Sequence, residues 1–482
     1  MTKKAAPTRR AFLAATGLAA VGGLALPAIL RPAVAAPEQT LSLRPAPGTA
    51  PLVGAPYEPT PVWCFNDSLP GPEIRLRQGQ RVRIAVENGL AEETGIHWHG
   101  LRVPNAMDGV PHLTQKPIAP GGQFSYEFEV PDAGTFWYHP HQRSSEQVGR
   151  GLYGPLIVEE REPPRVDRDL TWILDDWRLT EKAQISDDFG NLHDASHAGR
   201  FGNILTVNGR QPQPLEARGG ERIRLRLINA ANARIFGLDF AGHRPQIIAL
   251  DGQPVPPHAP PEGVVVVGPG MRTDLILDMT GAAGSRHQVT DRYYPRQTYQ
   301  VTEIAYADRP LRDNAPDWSL ALPPNPLAEP DLDAATRHEV VFNGGMMGGR
   351  MMQEMGGPMA SMPMARMQRM MQDGRMWFVN GIAADGHAMA PVLTLERGRT
   401  YIIAMANATA FPHPMHLHGH AFRVISRDGA PTPHREWRDT VLMTPGERVE
   451  IALVADNPGD WMFHCHILEH QAAGMSAVVR VA

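Results

Sequence analysis

The sequence predicts an all-β protein made of three consecutive Greek-key β-sandwich domains. Three observations predict it. The chain carries 46 glycines and 46 prolines in 482 residues, spread between short apolar runs as in turn-rich sheet proteins. One strand-and-turn spacing occurs three times. The length, at roughly 100–200 residues per domain, accommodates about three domains.

The repeat is specific. The first copy is Arg77, Gly79, Arg81, Ile84 and Asn88; the second is Arg218, Gly220, Arg222, Leu225 and Asn229; the third is Arg397, Gly398 and Tyr401 through Asn407. In each, the glycine precedes the asparagine by nine residues. The intervening sequence alternates, as in Arg81-Val82-Arg83-Ile84-Ala85-Val86 and Arg222-Ile223-Arg224-Leu225-Arg226-Leu227. Such alternation after a glycine turn predicts a half-buried strand, and its recurrence predicts a repeated domain. The domains are placed at 40–160, 165–310 and 335–482, with the proline- and acid-rich 307–335 as a linker.

Nine and eleven residues past the asparagine stand His97 and His99 in copy one, and His416 and His418 in copy three. Copy two has Leu238 and Phe240 there. Copies one and three also match at their ends. Gly134-Thr135-Phe136-Trp137-Tyr138-His139-Pro140-His141 parallels Gly459-Asp460-Trp461-Met462-Phe463-His464-Cys465-His466. On a strand the two imidazoles of His-x-His share a face, roughly 6.5–7 Å apart at the backbone. Four such pairs predict a metal cluster at a seam between the first and third domains. Alternation turns Cys465 to the opposite face, with His413 at an odd offset from His416. His470 and Met475 follow. Two histidines, a thiolate and a thioether form a blue-copper set. The aligned residues of copy one, Thr94, Pro140, Ser145 and Arg150, supply none of these ligands, so one mononuclear site is expected, in the third domain.

His97-Trp98-His99-Gly100, His139-Pro140-His141, His413-Pro414-Met415-His416-Leu417-His418, and His464-Cys465-His466 with His470 and Met475 match the four signature motifs of the multicopper oxidases. The resemblance covers essentially the whole mature chain. It implies cupredoxin-like domains, the middle one without copper ligands, and four copper ions. By family pattern His413, Cys465, His470 and Met475 hold type 1 copper, and His97 and His416 hold type 2. His99, His139, His141, His418, His464 and His466 hold the type 3 pair. The implied reaction couples one-electron oxidation of a donor to four-electron reduction of O2 to water. The order His464-Cys465-His466 gives a short covalent link between the two sites. Asp108, in Val103-Pro104-Asn105-Ala106-Met107-Asp108-Gly109, matches a family carboxylate near the cluster and is the implied proton relay. A second relay carboxylate follows the type 1 histidine in related copper-tolerance oxidases; here Gln471 occupies that place and cannot ionise. Asp439 is a further carboxylate placed behind the ligands or toward the substrate.

The N-terminus reads as an address. Lys3-Lys4 and Thr8-Arg9-Arg10-Ala11-Phe12-Leu13 precede an apolar run from Ala14 to Leu30 and then Ala33-Val34-Ala35-Ala36. This is the pattern of a removable twin-arginine signal over 1–36, which predicts a periplasmic or secreted protein. No later run reaches the 18 apolar residues of a spanning helix, so no membrane association is expected after signal removal. A net charge of -5 gives no nucleic-acid footprint. The mature protein is expected to be monomeric. With only two cysteines a disulfide framework is excluded, and Cys64 is expected as a buried free thiol.

Twelve of the 22 methionines lie between Met346 and Met376, among Gly, Gln and Arg. The segment, placed at 344–376, lacks Leu, Ile, Val and Phe. It is expected as a mobile insertion between strand-like Val340-Val341-Phe342 and Trp377-Phe378-Val379, with a short helix over Ala360 to Gln372. Thioethers favour Cu(I), and similar inserts mark copper-efflux oxidases, where they cover the type 1 site. The expected donor is therefore Cu(I), with side activity on small phenols and a role in copper tolerance. The alternatives are a general laccase-type oxidase of phenolic or other organic donors and a non-enzymatic periplasmic copper-binding protein.

Overall fold

The computed structural model describes residues 38–346, 373–385 and 391–482. The expected signal at 1–36 and the bulk of the methionine-rich segment lie outside the described residues. What is described is almost entirely strand and turn.

Three β-sandwiches follow one another along the chain. The first sets Gln39–Leu43, Arg81–Glu87 and Gln123–Glu129 against a sheet ordered Ile74–Arg77, Gly154–Glu159, Gly134–Pro140, Ile96–His99. The second packs a six-stranded sheet containing Arg222–Asn229 and Arg272–Asp278 against a five-stranded sheet containing Phe236–Phe240. The third packs the sheet of Thr400–Asn407 against one ordered Pro391–Leu395, Ser476–Val481, Gly459–Cys465, His413–Leu417, Thr440–Met443. Each has its own apolar core, around Trp98, Phe136 and Tyr138 in the first, Phe236, Leu238 and Phe240 in the second, and Leu417, Trp461 and Phe463 in the third.

The repeated residues do the same work three times. Gly79, Gly220 and Gly398 take φ of +82, +76 and +80°, a region that favours glycine. The asparagine nine residues on closes the far end of the strand. The Asn88 amide donates to the carbonyls of Glu92 and Ile118 while its oxygen accepts from Leu90 N. Asn229 donates to Arg234 and Val267 and accepts from Ala231. Asn407 donates to Phe411 and Thr444 and accepts from Thr409. Each is a buried clamp that satisfies backbone groups where the chain leaves the sheet.

The strands that follow carry the difference between copies. His97 pairs with His139 across one sheet and His416 with His464 across another. In the second sandwich the equivalent Leu238 and Phe240 are simply core.

Half-burial holds for Arg81–Glu87, whose residues alternate exposed and buried, but not for Arg222–Asn229, which is buried throughout. The reason is the first sandwich lying on its polar face. Arg224 donates to Glu160 and Asp274, and Arg226 donates to Asp169, Asp274 and the Thr135 hydroxyl. The paired strand supplies the complement, with Asp278 opposite Arg222 and Asp274 opposite Arg226. Buried guanidiniums are tolerated only when paired this completely. The expected linker is irregular but tied down. Asn325 bonds the Ala133 backbone and Gln253, and the Pro316 and Trp318 carbonyls accept from Arg222. Cys64 is a buried free thiol, and burial raises its pKa. Among the described residues no helix is long and apolar enough to cross a membrane.

Asn229→Ala removes one clamp and strands three buried backbone groups. At about 1–3 kcal/mol per unsatisfied group, partly relieved by relaxation, a loss of roughly 3 kcal/mol is expected. Denaturant unfolding should show it, and an unchanged midpoint would refute the clamp.

Candidate metal centre

Two sandwiches that are not neighbours in sequence each bring four imidazoles to one buried volume. His97, His99, His139 and His141 come from the first, and His416, His418, His464 and His466 from the third. The two sets interleave. His97 stacks on His418 at 3.7 Å between ring centroids, and His99 on His416 at 3.8 Å. Ligand atoms converge within 4.8 Å in the sets His99, His139, His466 and His141, His418, His464. Each set draws from both sandwiches, so neither alone could hold an ion there. His97, His99 and His416 form a third such set.

The ring nitrogens show that these residues suit a metal. Typically Nδ1 is engaged and Nε2 is left over. His97 Nδ1 faces the Asp108 carbonyl at 3.0 Å, and His416 Nδ1 faces the Asp439 carbonyl at 2.9 Å. His464 Nδ1 faces the Cys465 carbonyl at 2.9 Å. The Nε2 atoms of His97, His141, His416 and His466 are buried with no hydrogen-bond partner among the described residues. With His466 Nδ1, also unpartnered, five orphaned imidazole nitrogens in the cluster would each cost desolvation energy, and a metal ion removes that cost where it is bound. Held Nδ1–H groups fix the tautomer that presents Nε2.

Burial, and after it the neighbouring imidazoles, hold His99, His139, His141, His418, His464 and His466 well below the ordinary histidine value. The rings are therefore neutral, as a ligand must be.

On the opposite face lies a second set. His413 Nδ1 is 3.4 Å from Cys465 Sγ, His470 Nδ1 is 3.7 Å from it, and the two nitrogens are 3.2 Å apart. This near-equilateral N, N, S triangle is the trigonal His2Cys arrangement preferred by copper. Met475 is buried in the same core, and its carbonyl accepts from Cys465 N. Burial pushes the Cys465 thiol up and His470 down to about 3; a bound cation would reverse the first. His470 is not open to solvent. Its Nε2 donates to the His197 carbonyl at 2.7 Å, and the Trp377 ring lies 4.1 Å from its own.

The surrounding carboxylates touch ligands directly. Asp108 is fully buried, with Oδ2 3.0 Å from His418 Nδ1 and Oδ1 3.2 Å from His97 Nδ1. Its position needs Gly109, where a Cβ would lie 1.7 Å from the Ile96 carbonyl oxygen. Asp439 reaches His99 Nε2 at 3.3 Å and His416 Nδ1 at 3.4 Å. Burial would raise its pKa, but Arg272 and His416 outweigh this and hold the carboxyl low. Gln471 contacts His141 Nδ1 at 3.3 Å and the Ser144 hydroxyl at 3.1 Å. Glu469 does not reach the cluster; it accepts from Arg200 N and Asn232.

Sequence reasoning missed Arg272. This buried side chain of the second sandwich donates to Asp439 at 2.8 Å, so a sandwich that gives no histidine to the cluster supports two that belong to it. The available signal was the alternation of Arg272, Asp274 and Asp278 on a strand paired with Arg222, Arg224 and Arg226.

The family described as multicopper oxidase matches residues 51–163, 168–305 and 358–482. The chain belongs to that family. It is 30% identical over 466 residues to multicopper oxidase MmcO of Mycobacterium tuberculosis, covering 91% of this chain and 86% of that one. A multi-copper oxidase structure from Pseudomonas thermotolerans is 34% identical, with a TM-score of 0.81 and coverage of 93% and 100%. A multicopper oxidase from Campylobacter jejuni, described as a metallo-oxidase, is 26% identical, with a TM-score of 0.76 and coverage of 92% and 91%. As a multicopper oxidase the protein is a copper oxidoreductase with O2 as acceptor.

Because the folded state holds the buried imidazoles neutral while the unfolded chain titrates near 6.5, the unfolded state binds more protons below that value. Copper-depleted protein should therefore lose stability as pH falls from about 6.5 toward the lowered folded values. Copper-loaded protein should resist longer, since protons must displace the metal. Thermal midpoints across pH, with and without copper, test this; a flat profile for the depleted protein would contradict neutral burial.

Proposed function

We propose that the protein is an exported, monomeric cuprous oxidase with side activity on small phenols, serving copper tolerance. Its copper complement is four ions. His413, Cys465, His470 and Met475 hold type 1, and His97 and His416 hold type 2. His99, His139 and His466 hold one type 3 ion, and His141, His418 and His464 hold the other. When bound, the coppers supply one-electron acceptance from the donor and four-electron delivery to O2. Four Cu(I) give up four electrons, and one O2 takes them with four protons to form two waters. The sandwiches lie near 40–160, 165–310 and 335–482, behind a twin-arginine signal.

The observation that carries the donor reading is where the methionine-rich segment is rooted. Thr336–Gly344 pairs with Trp377–Val379, Gly344 opposite Trp377. Met346 N donates to the Ser196 carbonyl, one residue before the His197 that accepts from His470. Met376 N donates to the Ala473 carbonyl, between His470 and Met475. Both described ends of the segment thus lie beside residues adjoining His470 and Met475, and thioethers select Cu(I). The metallo-oxidase description of the Campylobacter relative supports the same reading.

This chain's residues also govern protons and position. The Asp108 carboxylate accepts from His418 Nδ1 and keeps that ring's tautomer fixed. It is the carboxylate proposed to hand protons toward the cluster. Asp108→Asn should slow O2 reduction by roughly ten- to a hundredfold while leaving the blue absorption intact; unchanged turnover would remove Asp108 from the proton path.

The donor is tested by O2 uptake of copper-loaded protein with Cu(I) and with a phenol, in wild type and in a variant lacking Met346 to Met376. Cu(I)-driven uptake that the deletion abolishes, with phenol oxidation kept or increased, is expected. Unchanged Cu(I) turnover would favour the laccase-type reading, and no O2 uptake with either donor would favour a copper-binding protein.

A further inference from the structure

A cavity of about 600 Å³ opens between the second and third sandwiches, a size common for small-molecule sites. Two buried polar groups that line it have nothing to bond. Thr273 Oγ1 and Arg438 Nε have no hydrogen-bond partner among the described residues, and Thr273 is 1% and Arg438 9% exposed. A threonine hydroxyl rotates freely to find an acceptor, so an unpaired one in a folded interior calls for an explanation.

The other charges on the cavity wall are committed or of opposite sign. Arg292 donates to Asp239 at 2.6 Å. Arg427 donates to Glu447 at 2.6 Å and to the Leu442 carbonyl. Glu262 and Glu436 also line the space, and Glu436 Oε1 stands 3.7 Å from Arg438 Nε, beyond hydrogen-bond length. The rest of the wall combines the apolar Ile247, Leu250, Val265 and the Tyr293 ring with Thr432 and the stacked rings of His258 and His434.

We propose that this cavity binds a small organic carboxylate. Its oxygens accept from Thr273 Oγ1 and Arg438 Nε, and its apolar body lies on the Leu250, Val265 and Tyr293 wall. Two buried donors without a hydrogen bond, the Glu436 carboxylate standing 3.7 Å from one of them, favour a ligand that brings its own acceptor oxygens, and a guanidinium N–H strengthens the bond beyond a neutral pair. The site is separate from the histidine cluster yet close to it in bonding. Arg438 NH1 lies 3.5 Å from Asp251, Asp251 accepts from Arg272 N, and Asp439, next in sequence, holds His99 and His416.

The test is calorimetric titration of the copper-loaded protein with benzoate and with benzyl alcohol, while blue absorption and the copper EPR signal are followed. Wild type should bind benzoate at one site and benzyl alcohol at least about tenfold more weakly. Thr273→Val, equal in shape, should weaken benzoate by about five- to tenfold. Ala259→Trp, an exposed change at the cavity wall, should abolish binding with the blue absorption unchanged. Absence of binding heat, or equal affinity for benzoate and benzyl alcohol, would overturn the assignment. So would binding that persists in both variants and perturbs the EPR signal, which would place the anion on copper.

Discussion

The constraint on which the structure turns is that eight imidazoles must be buried together in one volume, drawn from two sandwiches. Burial lowers the pKa values of His99, His139, His141, His418, His464 and His466, and the neighbouring imidazoles lower them further. The geometry that achieves this is two strand pairs in identical register, His97 opposite His139 and His416 opposite His464. The backbone carbonyls of Asp108, Asp439 and Cys465 hold the outer nitrogens of His97, His416 and His464. The fold therefore sets the tautomers before any metal arrives.

Holding two separate sandwiches face to face falls to the middle one. It contributes no imidazole to the cluster, yet Arg272 grips Asp439 behind His99 and His416. Arg224 and Arg226 join Glu160 and Thr135 of the first sandwich to Asp274 of the second. Buried pairs of this kind add little net stability over an apolar packing, but breaking one leaves an uncompensated charge. Their effect is on alignment. The same sandwich also covers His470 through the His197 carbonyl.

Most of this was legible in the sequence. The glycine-to-asparagine spacing marked the sandwiches because turn and clamp are local and identical in each copy. The His-x-His pairs marked the cluster because strand alternation alone puts both rings on one side, and the offset of Cys465 put its sulfur on the other. Less legible was anything set by contact between sandwiches. Arg222-Ile223-Arg224-Leu225-Arg226-Leu227 has the pattern of a solvent-facing strand, and only the neighbouring domain makes its arginines interior. Arg272 carries no motif, and its role comes from Asp439, far along the chain. The linker looked free because its prolines preclude a sheet ladder; its fixed course depends on Asn325 and Arg222, whose partners no local pattern shows.

The hairpin that carries the methionines has a consequence for how such a protein can change over time. The segment leaves at Gly344 and returns at Trp377, two residues already paired to each other. None of the strands that carry the cluster histidines draws a residue from that interval. Insertions and deletions there leave the register of those strands unchanged, and closure entropy grows only slowly with the length between two paired ends, by about 0.6 kcal/mol per doubling. The gene can thus change the length of this segment by slippage or recombination, without a compensating change at the histidine cluster.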